Sequence, residues 1–308
     1  MAETKGEHTE GESEPATQSP KLPQPTLPAC HPWGLLSVAF TPCPSAAAHR
    51  IWLSKVLQIR INTVRGFIDL HCHYIASIDD GCRGEDEGRA LLEGLYQLGF
   101  AEVVATPHMR PGMFDNDRTA LEQAFARTQR SLEGVAQIPR IHLSCEHYFD
   151  EIVHGRLLAG QGLPYPGRSS GQKERSVLVE FEPTRMPIRV EARLRDLRRA
   201  GLWPVIAHPE RYHDVWRDDR CLDALLDVGA KLLLDVAALA GKYGQAPQDA
   251  AEKLLDEGAY EAACSDAHRP QDLAAVATGI RLLTERVGTT EAERLLRDGP
   301  AQILSATP

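Results

Sequence analysis

The chain has 308 residues, enough for one large or two ordinary domains, and its 43% hydrophobic and 25% charged content is that of a soluble globular protein. A net charge of −9, from 34 Lys+Arg against 43 Asp+Glu, argues against a general nucleic-acid binder, and no apolar run is long enough to span a bilayer. Seven irregularly spaced cysteines, behind an acidic N-terminus without the apolar core of a secretory signal, fit reduced thiols in a cytoplasmic protein better than a disulfide framework.

Residues 1–63 open with Glu, Thr, Gly and Ser and continue through Pro20, Pro23, Pro25, Pro28, Pro32, Pro42 and Pro44. Such a stretch buries too little apolar surface to offset its chain entropy. It reads as a disordered extension, or as a start-site extension with translation beginning near Val64. The catalytic part is expected over 64–308. From Val64 on, the chain alternates strand, helix and glycine. Gly66–Leu70 reads as the first strand. Glu85–Leu98 reads as a helix with Leu91, Leu92, Leu95 and Leu98 on its apolar side, followed by Gly99 and a strand over Glu102–Pro107. Two further strands read over Ile141–Cys145 and Ser176–Val179. A helix around Val190–Ala200 ends at Gly201 before Trp203–Ala207. Cys221–Val228 ends at Gly229 before Lys231–Val236, and Ala250–Glu257 ends at Gly258 before Ala259–Ser265. Glycine just past a helix tolerates the left-handed conformation that ends it, so four such junctions indicate repeated αβ units. About seven strands are expected, in a (β/α) barrel whose chemistry sits at the C-terminal strand ends.

The residues at those ends are of one kind. His71 and His73 follow the first strand and, two apart, share a face. Glu102–Pro107 runs into His108, Trp203–Ala207 into His208, and Ala259–Ser265 into Asp266 and His268. Glu146 and Glu180 follow two other strands. An imidazole and carboxylate set of this sort suits Mn²⁺, Fe²⁺ or Zn²⁺ better than Ca²⁺ or a thiolate site. Asp69 lies on the face of His71 and His73. It either orients an imidazole or is a buried polar residue satisfied elsewhere. His142, His147, His154 and His213 read as packing or surface residues, His147 pointing away from Glu146.

The runs Ile68-Asp69-Leu70-His71-Cys72-His73, Asp79-Asp80-Gly81, Ala105-Thr106-Pro107-His108, Cys145-Glu146, Val179-Glu180-Phe181, Val205-Ile206-Ala207-His208-Pro209-Glu210-Arg211-Tyr212 and Cys264-Ser265-Asp266-Ala267-His268 resemble the PHP superfamily. Within it, the chain is most similar to the bacterial manganese-dependent tyrosine-protein phosphatases associated with capsular and exopolysaccharide synthesis, over about Phe67 to Ser305. The resemblance implies an α/β fold, a PHP-type distorted (β/α)7 TIM-like barrel. It also implies three divalent ions, with Mn²⁺ expected and Fe²⁺ or Zn²⁺ as alternatives. His71, His73, Glu146 and Asp266 would hold the first. Glu146 would bridge to a second held by Glu180 and His208, and Asp80, His108 and His268 would hold the third. The implied partner is a phosphotyrosine protein, such as a polysaccharide-assembly tyrosine kinase, with no nucleic acid and no membrane span.

Arg211, three residues after His208, is the candidate to grip phosphate with its planar fork, the alternative being a rim arginine paired with an Asp. Arg269 is a second candidate, although it lies nearer His268 than the family's second phosphate arginine. Arg110 is expected to line the mouth. Phe114, Met109, Met113 and Tyr148 are candidate contacts for an aromatic leaving group, or ordinary loop packing. A cysteine nucleophile would need Arg after five intervening residues beyond the His-Cys pair, yet Ile78 stands there. The competing functions are a histidinol-phosphate type of phosphatase on the same scaffold, an inactive binding protein and, more distantly, a nuclease.

Overall fold

Nine parallel strands, among the residues 66–306 that the computed structural model describes, carry the architecture: β1 (Phe67–Cys72), β2 (Phe100–Ala105), β3 (His108–Met109), β4 (Arg140–Leu143), β5 (Glu146–Tyr148), β6 (Arg175–Glu180), β7 (Leu202–Ala207), β8 (Lys231–Asp235) and β9 (Tyr260–Cys264). The extension expected over 1–63 lies outside the described residues. The strands form two sheets, ordered β1-β2-β4 and β3-β5-β6-β7-β8-β9. Only Thr106-Pro107 separates β2 from β3, and only Ser144-Cys145 separates β4 from β5. Backbone bonds bridge these breaks, from Ser144 N–H to the Ala105 carbonyl at 2.8 Å and from Glu146 N–H to that of Pro107 at 3.2 Å. Each pair is one interrupted strand, which leaves the seven expected. At the two outer strands, Asp266 N–H donates to the His71 carbonyl at 3.0 Å and His73 N–H to that of Ala267 at 2.9 Å. No continuous ladder closes the ring among the described residues, so the barrel is distorted rather than regular.

The four predicted junction glycines, Gly99, Gly201, Gly229 and Gly258, all have positive φ. Two of the expected helices differ in extent. The helix before β9 starts earlier, at Gln245, and accommodates Pro247 in its first turn, where no backbone donor is lost. The one expected over Cys221–Val228 is a 3-10 turn, Asp219–Leu222, followed by a short helix, Asp223–Asp227. Helices Arg118–Ser131 and Glu151–Leu158 are each capped by an aspartate, Asp117 accepting from Ala120 N–H and Asp150 from Val153 N–H. Helices pack outside the sheets over the larger apolar cluster. A second cluster joins Ile68, Leu70, Val104, Leu178, Val205 and Leu233 with Ile303 and Leu304 of the C-terminal helix Gly299–Ser305. Strand alternation carries that inner face upward, so that Glu180, two residues past Leu178, emerges at its C-terminal end.

Candidate metal centre

Imidazole and carboxylate groups from separate strand ends converge in one cluster, buried except for the exposed Asp80 and the half-buried His268 at its mouth. His71 Nε2 lies 3.1 Å from His73 Nε2. Glu146 Oε2 is 3.2 Å from the first of these nitrogens and 3.5 Å from the second, and Asp266 Oδ1 stands at the same two distances. His208 Nε2 meets Glu146 Oε1 at 3.1 Å, and His108 Nδ1 meets Glu146 Oε2 at 2.9 Å. Glu180 Oε2 is 3.8 Å from His108 Nδ1. Asp80 Oδ1 lies 3.4 Å from His108 Nε2 and 3.5 Å from His268 Nε2. All nine residues expected as ligands are thus in one place.

Their grouping differs in detail from the expected one. Donor atoms within 4.8 Å of one another fall into four sets: His73, Asp80, His108 and His268; His71, His73 and Asp266; His71, Glu146 and His208; and His108, Glu146 and Glu180. His73 joins the Asp80 set as well as that of His71, and His108 faces both Asp80 and Glu146. A residue between two sets can serve either, so the strand ends fix the pool of donors more firmly than their partition.

The donor set suits divalent cations. Glu180 Oε2 is buried without a hydrogen-bond partner, a costly state for an isolated polar atom. Burial opposes charge on Glu146, but His71 and His108 outweigh it and hold the carboxyl well below its ordinary range. Burial and the nearby Arg211 push His208 down to about 4, leaving the imidazole neutral as a ligand requires. Glu180 is pushed up to about 8, first by burial and then by the neighbouring Glu146. His208 (φ 35°) and Asp266 (φ 41°) occupy the left-handed region without being glycine. Such strain gathers where surrounding structure imposes a functional geometry.

Arg211 Nη1 donates to Asp266 Oδ2 at 2.5 Å, and its guanidinium lies 4.5 Å from the ring centre of Tyr243. It is therefore paired with an aspartate, but with one belonging to the cluster itself. Arg269 donates to the carbonyls of Gly81 and Asp80, at 3.4 and 3.3 Å, and so clasps the Asp80 loop to the His268 loop.

A family model described as capsular polysaccharide synthesis, CpsB/CapC, matches residues 67–305. The chain belongs to the CpsB/CapC family. It is 26% identical to the tyrosine-protein phosphatase YwqE of Bacillus subtilis, over 65% of this chain and 77% of that one. It is 24% identical to the tyrosine-protein phosphatase CpsB of Streptococcus pneumoniae, over 77% and 98%. Among solved structures it resembles one from a study of YwqE and CpsB as metal-dependent tyrosine phosphatases, with a TM-score of 0.69 at 24% identity over 78% of this chain and 95% of that one. An amidohydrolase from Mycoplasma synoviae has a TM-score of 0.52 at 13% identity, over 78% and 88%. These two likenesses concern the fold, and they bear out the TIM-like barrel class.

Several members of the centre are absent from the expected set. Asp79 Oδ2 accepts from His73 Nδ1 at 2.8 Å and from His108 N–H at 3.1 Å, while Oδ1 accepts from Gly81 N–H at 3.0 Å. It orients His73 in the way a carboxylate commonly fixes a ligating imidazole. The adjacent Asp-Asp pair was its only signal. At Gly81 a Cβ would stand 2.2 Å from the His73 carbonyl oxygen, so the loop closes on His73 only with glycine. Of the two expectations for Asp69, the structure has the second, a buried carboxylate satisfied away from the imidazole rings. Its carboxylate accepts from Ser265 Oγ at 2.5 Å, from Ser265 N–H at 3.0 Å and from His71 N–H at 3.3 Å, tying β1 to the Asp266 loop. Glu210 is wholly buried and accepts from Asp235 N–H and Tyr260 Oη, each at 2.9 Å. It thereby pins the turn that presents Arg211 to β8 and β9. Asp235 ends β8 at the same height as the ligands, a position the strand pattern would have revealed.

Phe114 stacks on His108, with ring centres 5.2 Å apart and planes at 7°. Arg110 lies over Tyr148 at 4.1 Å, and Tyr148 donates to Glu182 Oε2 at 2.6 Å. Met109 is fully buried and is packing, not a contact for an incoming group. His147 is held between the Leu178 carbonyl and Leu163 N–H, away from the cluster. Cys72, Cys145 and Cys264 are buried, their thiols pushed well above the ordinary value by burial, so none offers a thiolate.

Proposed function

We propose that this chain is a metal-dependent phosphomonoesterase that hydrolyses phosphotyrosine in proteins. The observation that carries the reading is the convergence of His71, His73, Glu146 and Asp266, with two imidazole nitrogens 3.1 Å apart and two carboxylate oxygens beside them. The names of the curated relatives supply the substrate class. The reading places the catalytic unit at 64–308 and its action in the cytoplasm, on proteins of polysaccharide assembly such as a tyrosine kinase. The free buried thiols support that compartment. No helix among the described residues is long and apolar enough to cross a membrane.

His71, His73, Asp80, His108, Glu146, Glu180, His208, Asp266 and His268 would hold divalent ions. Three ions and Mn²⁺ are the proposed complement, with Fe²⁺ or Zn²⁺ compatible with the same donors. Bound there, such ions offset the charge of a phosphate dianion and supply the Lewis acidity that makes water a nucleophile at neutral pH. The chain's own residues then divide the remaining work. Asp79 fixes the ring of His73. Arg211, with 27% of its side chain exposed, presents its guanidinium to phosphate oxygens while Asp266 and Tyr243 hold it in place. Arg269 keeps the Asp80 loop against the His268 loop. The Phe114 ring beside His108 offers an apolar wall for a phenol leaving group. Among the described residues, Cys72, Cys145 and Cys264 beside the cluster are buried thiols, which argues against a covalent cysteine mechanism.

The test is metal analysis together with turnover of a phosphotyrosine peptide and of histidinol phosphate by one preparation. Chelation should abolish turnover of the peptide, and Mn²⁺ should restore it. Full activity without metal, or preference for histidinol phosphate, would overturn the reading.

A further inference from the structure

Strands β3, β5, β6 and β7 are neighbours in one sheet, so the segments leaving their C-terminal ends stand side by side around the cluster. Each segment exposes a large apolar side chain within ten residues of its strand end. Met113 follows β3 and is 59% exposed, Ile152 follows β5 at 56%, Ile188 follows β6 at 73%, and Trp216 follows β7 at 38%. Four of the seven exposed large apolar side chains among the described residues therefore lie on segments that leave the strand ends carrying this site. Scattered singly they would need no explanation, but grouped about a functional cleft they mark an interaction surface.

The charges on the same segments are unequal in their pairing. Arg110 has Glu182 at 3.7 Å, Arg193 has Glu151 at 3.0 Å, and Arg217 has Asp214 at 3.3 Å. Arg185 and Arg189, either side of Ile188, are exposed and have no carboxylate partner among the described residues. Their loop is held, not loose. Pro183 and Pro187 stiffen it, Met186 N–H donates to Asp214 Oδ2 at 2.8 Å, and His213 N–H donates to the Pro183 carbonyl at 2.8 Å. In a chain of net charge −9, two unpaired arginines fixed around an exposed isoleucine form a local reversal of sign.

We propose that this rim is the docking surface for the protein segment that carries the reacting phosphotyrosine, and that it selects segments with acidic and apolar residues flanking that side chain. The inference rests on the proposed function and names its substrate more narrowly. Arg185 and Arg189 meet the acidic residues, and Ile188 with its neighbours on the rim covers the apolar ones. Electrostatic matching of this kind acts on encounter and selectivity, so it weakens with salt.

The experiment uses the full chain with three probes. These are p-nitrophenyl phosphate, which has no flanking residues, and two phosphotyrosine peptides, one flanked by Glu and Leu and one by Lys and Gly. Binding is read by fluorescence anisotropy on phosphonate versions that cannot be hydrolysed. The unmodified chain should favour the Glu/Leu peptide by about tenfold in kcat/KM at low salt. Arg185→Glu with Arg189→Glu should remove that preference, and Ile188→Ala should lower it about threefold, with metal content and p-nitrophenyl phosphate turnover unchanged. Equal handling of the two peptides by the unmodified chain, or an equal loss on all three probes in the variants, would overturn the docking surface. So would binding to phosphatidylglycerol vesicles that the double variant abolishes, in the absence of any peptide preference. If the Glu/Leu phosphonate binds selectively while no probe is hydrolysed, the surface stands and the proposed function falls.

Discussion

Glu102 and Glu146 are both buried carboxylates in the same set of strands, and their surroundings differ in kind. Glu102, near the start of β2, accepts from Arg140 at 2.5 Å and from Arg168 at 2.9 Å, with His142 3.3 Å away. Its charge is met by permanent cations at the N-terminal end of the barrel. Glu146, at the other end, is met only by imidazoles, those of His71, His73, His108 and His208. Neither arginine nor lysine pairs with it among the described residues, and Asp266 and Glu180 crowd the same volume. A buried anion needs compensation. Where the chain supplies guanidinium groups the need is met and the role is structural. Where it supplies imidazoles beside further carboxylates, the compensation depends on a proton or a metal ion that those rings take up.

That contrast is open to measurement. The largest effect is expected from Glu146→Ala, which should lose bound metal and at least about 10³-fold in turnover, because two of the four donor sets share that carboxylate. Metal analysis of the purified variant checks it, and full metal content with normal turnover would erase the distinction between the two ends. Arg211→Ala should come next, keeping its metals but losing about 2–4 kcal/mol of transition-state stabilisation, read as kcat/KM. Emptied metal sites in that variant would reverse the roles assigned to Arg211 and Glu146.

Glu210→Ala leaves Asp235 N–H and Tyr260 Oη without their acceptor. It should cost about 1–3 kcal/mol, part of it appearing in kcat/KM through a misplaced Arg211. Glu210→Gln keeps an acceptor for Asp235 N–H and should recover most of the loss; equal damage in the two variants would count against the positioning role. At the opposite end, Glu102→Ala should lower stability by about 1 kcal/mol in urea unfolding, with metal content and kcat/KM unchanged. A metal defect there would show that the two ends are not independent. The smallest effect is expected from a chain beginning at Val64, which should unfold cooperatively and retain turnover, since every residue placed in the site lies at or beyond Asp69. Loss of cooperative unfolding would place 1–63 in the folded core.

Much of this was legible in the sequence because strands and helix ends are local. Period-two alternation put His71 and His73 on one face, glycines marked the junctions, and metal-type residues recurred where strands stop, so the α/β class and the donor pool followed. The long range is what local pattern does not carry. Glu210 and Tyr243 sit in turns whose partners come from distant segments, and their roles depend on which side chain the fold lays beside them. The direction of Asp69 was decided by Ser265, almost two hundred residues further along the chain. The partition of donors among sets depends on loop geometry at the ångström scale, where left-handed turns at His208 and Asp266 aim the side chains. Sequence alone determined which atoms are available to a cation, because residue type and strand position are properties of short segments. Tertiary structure alone decided which carboxylates are already compensated and which still require a partner, because charge compensation is a property of everything that surrounds a group.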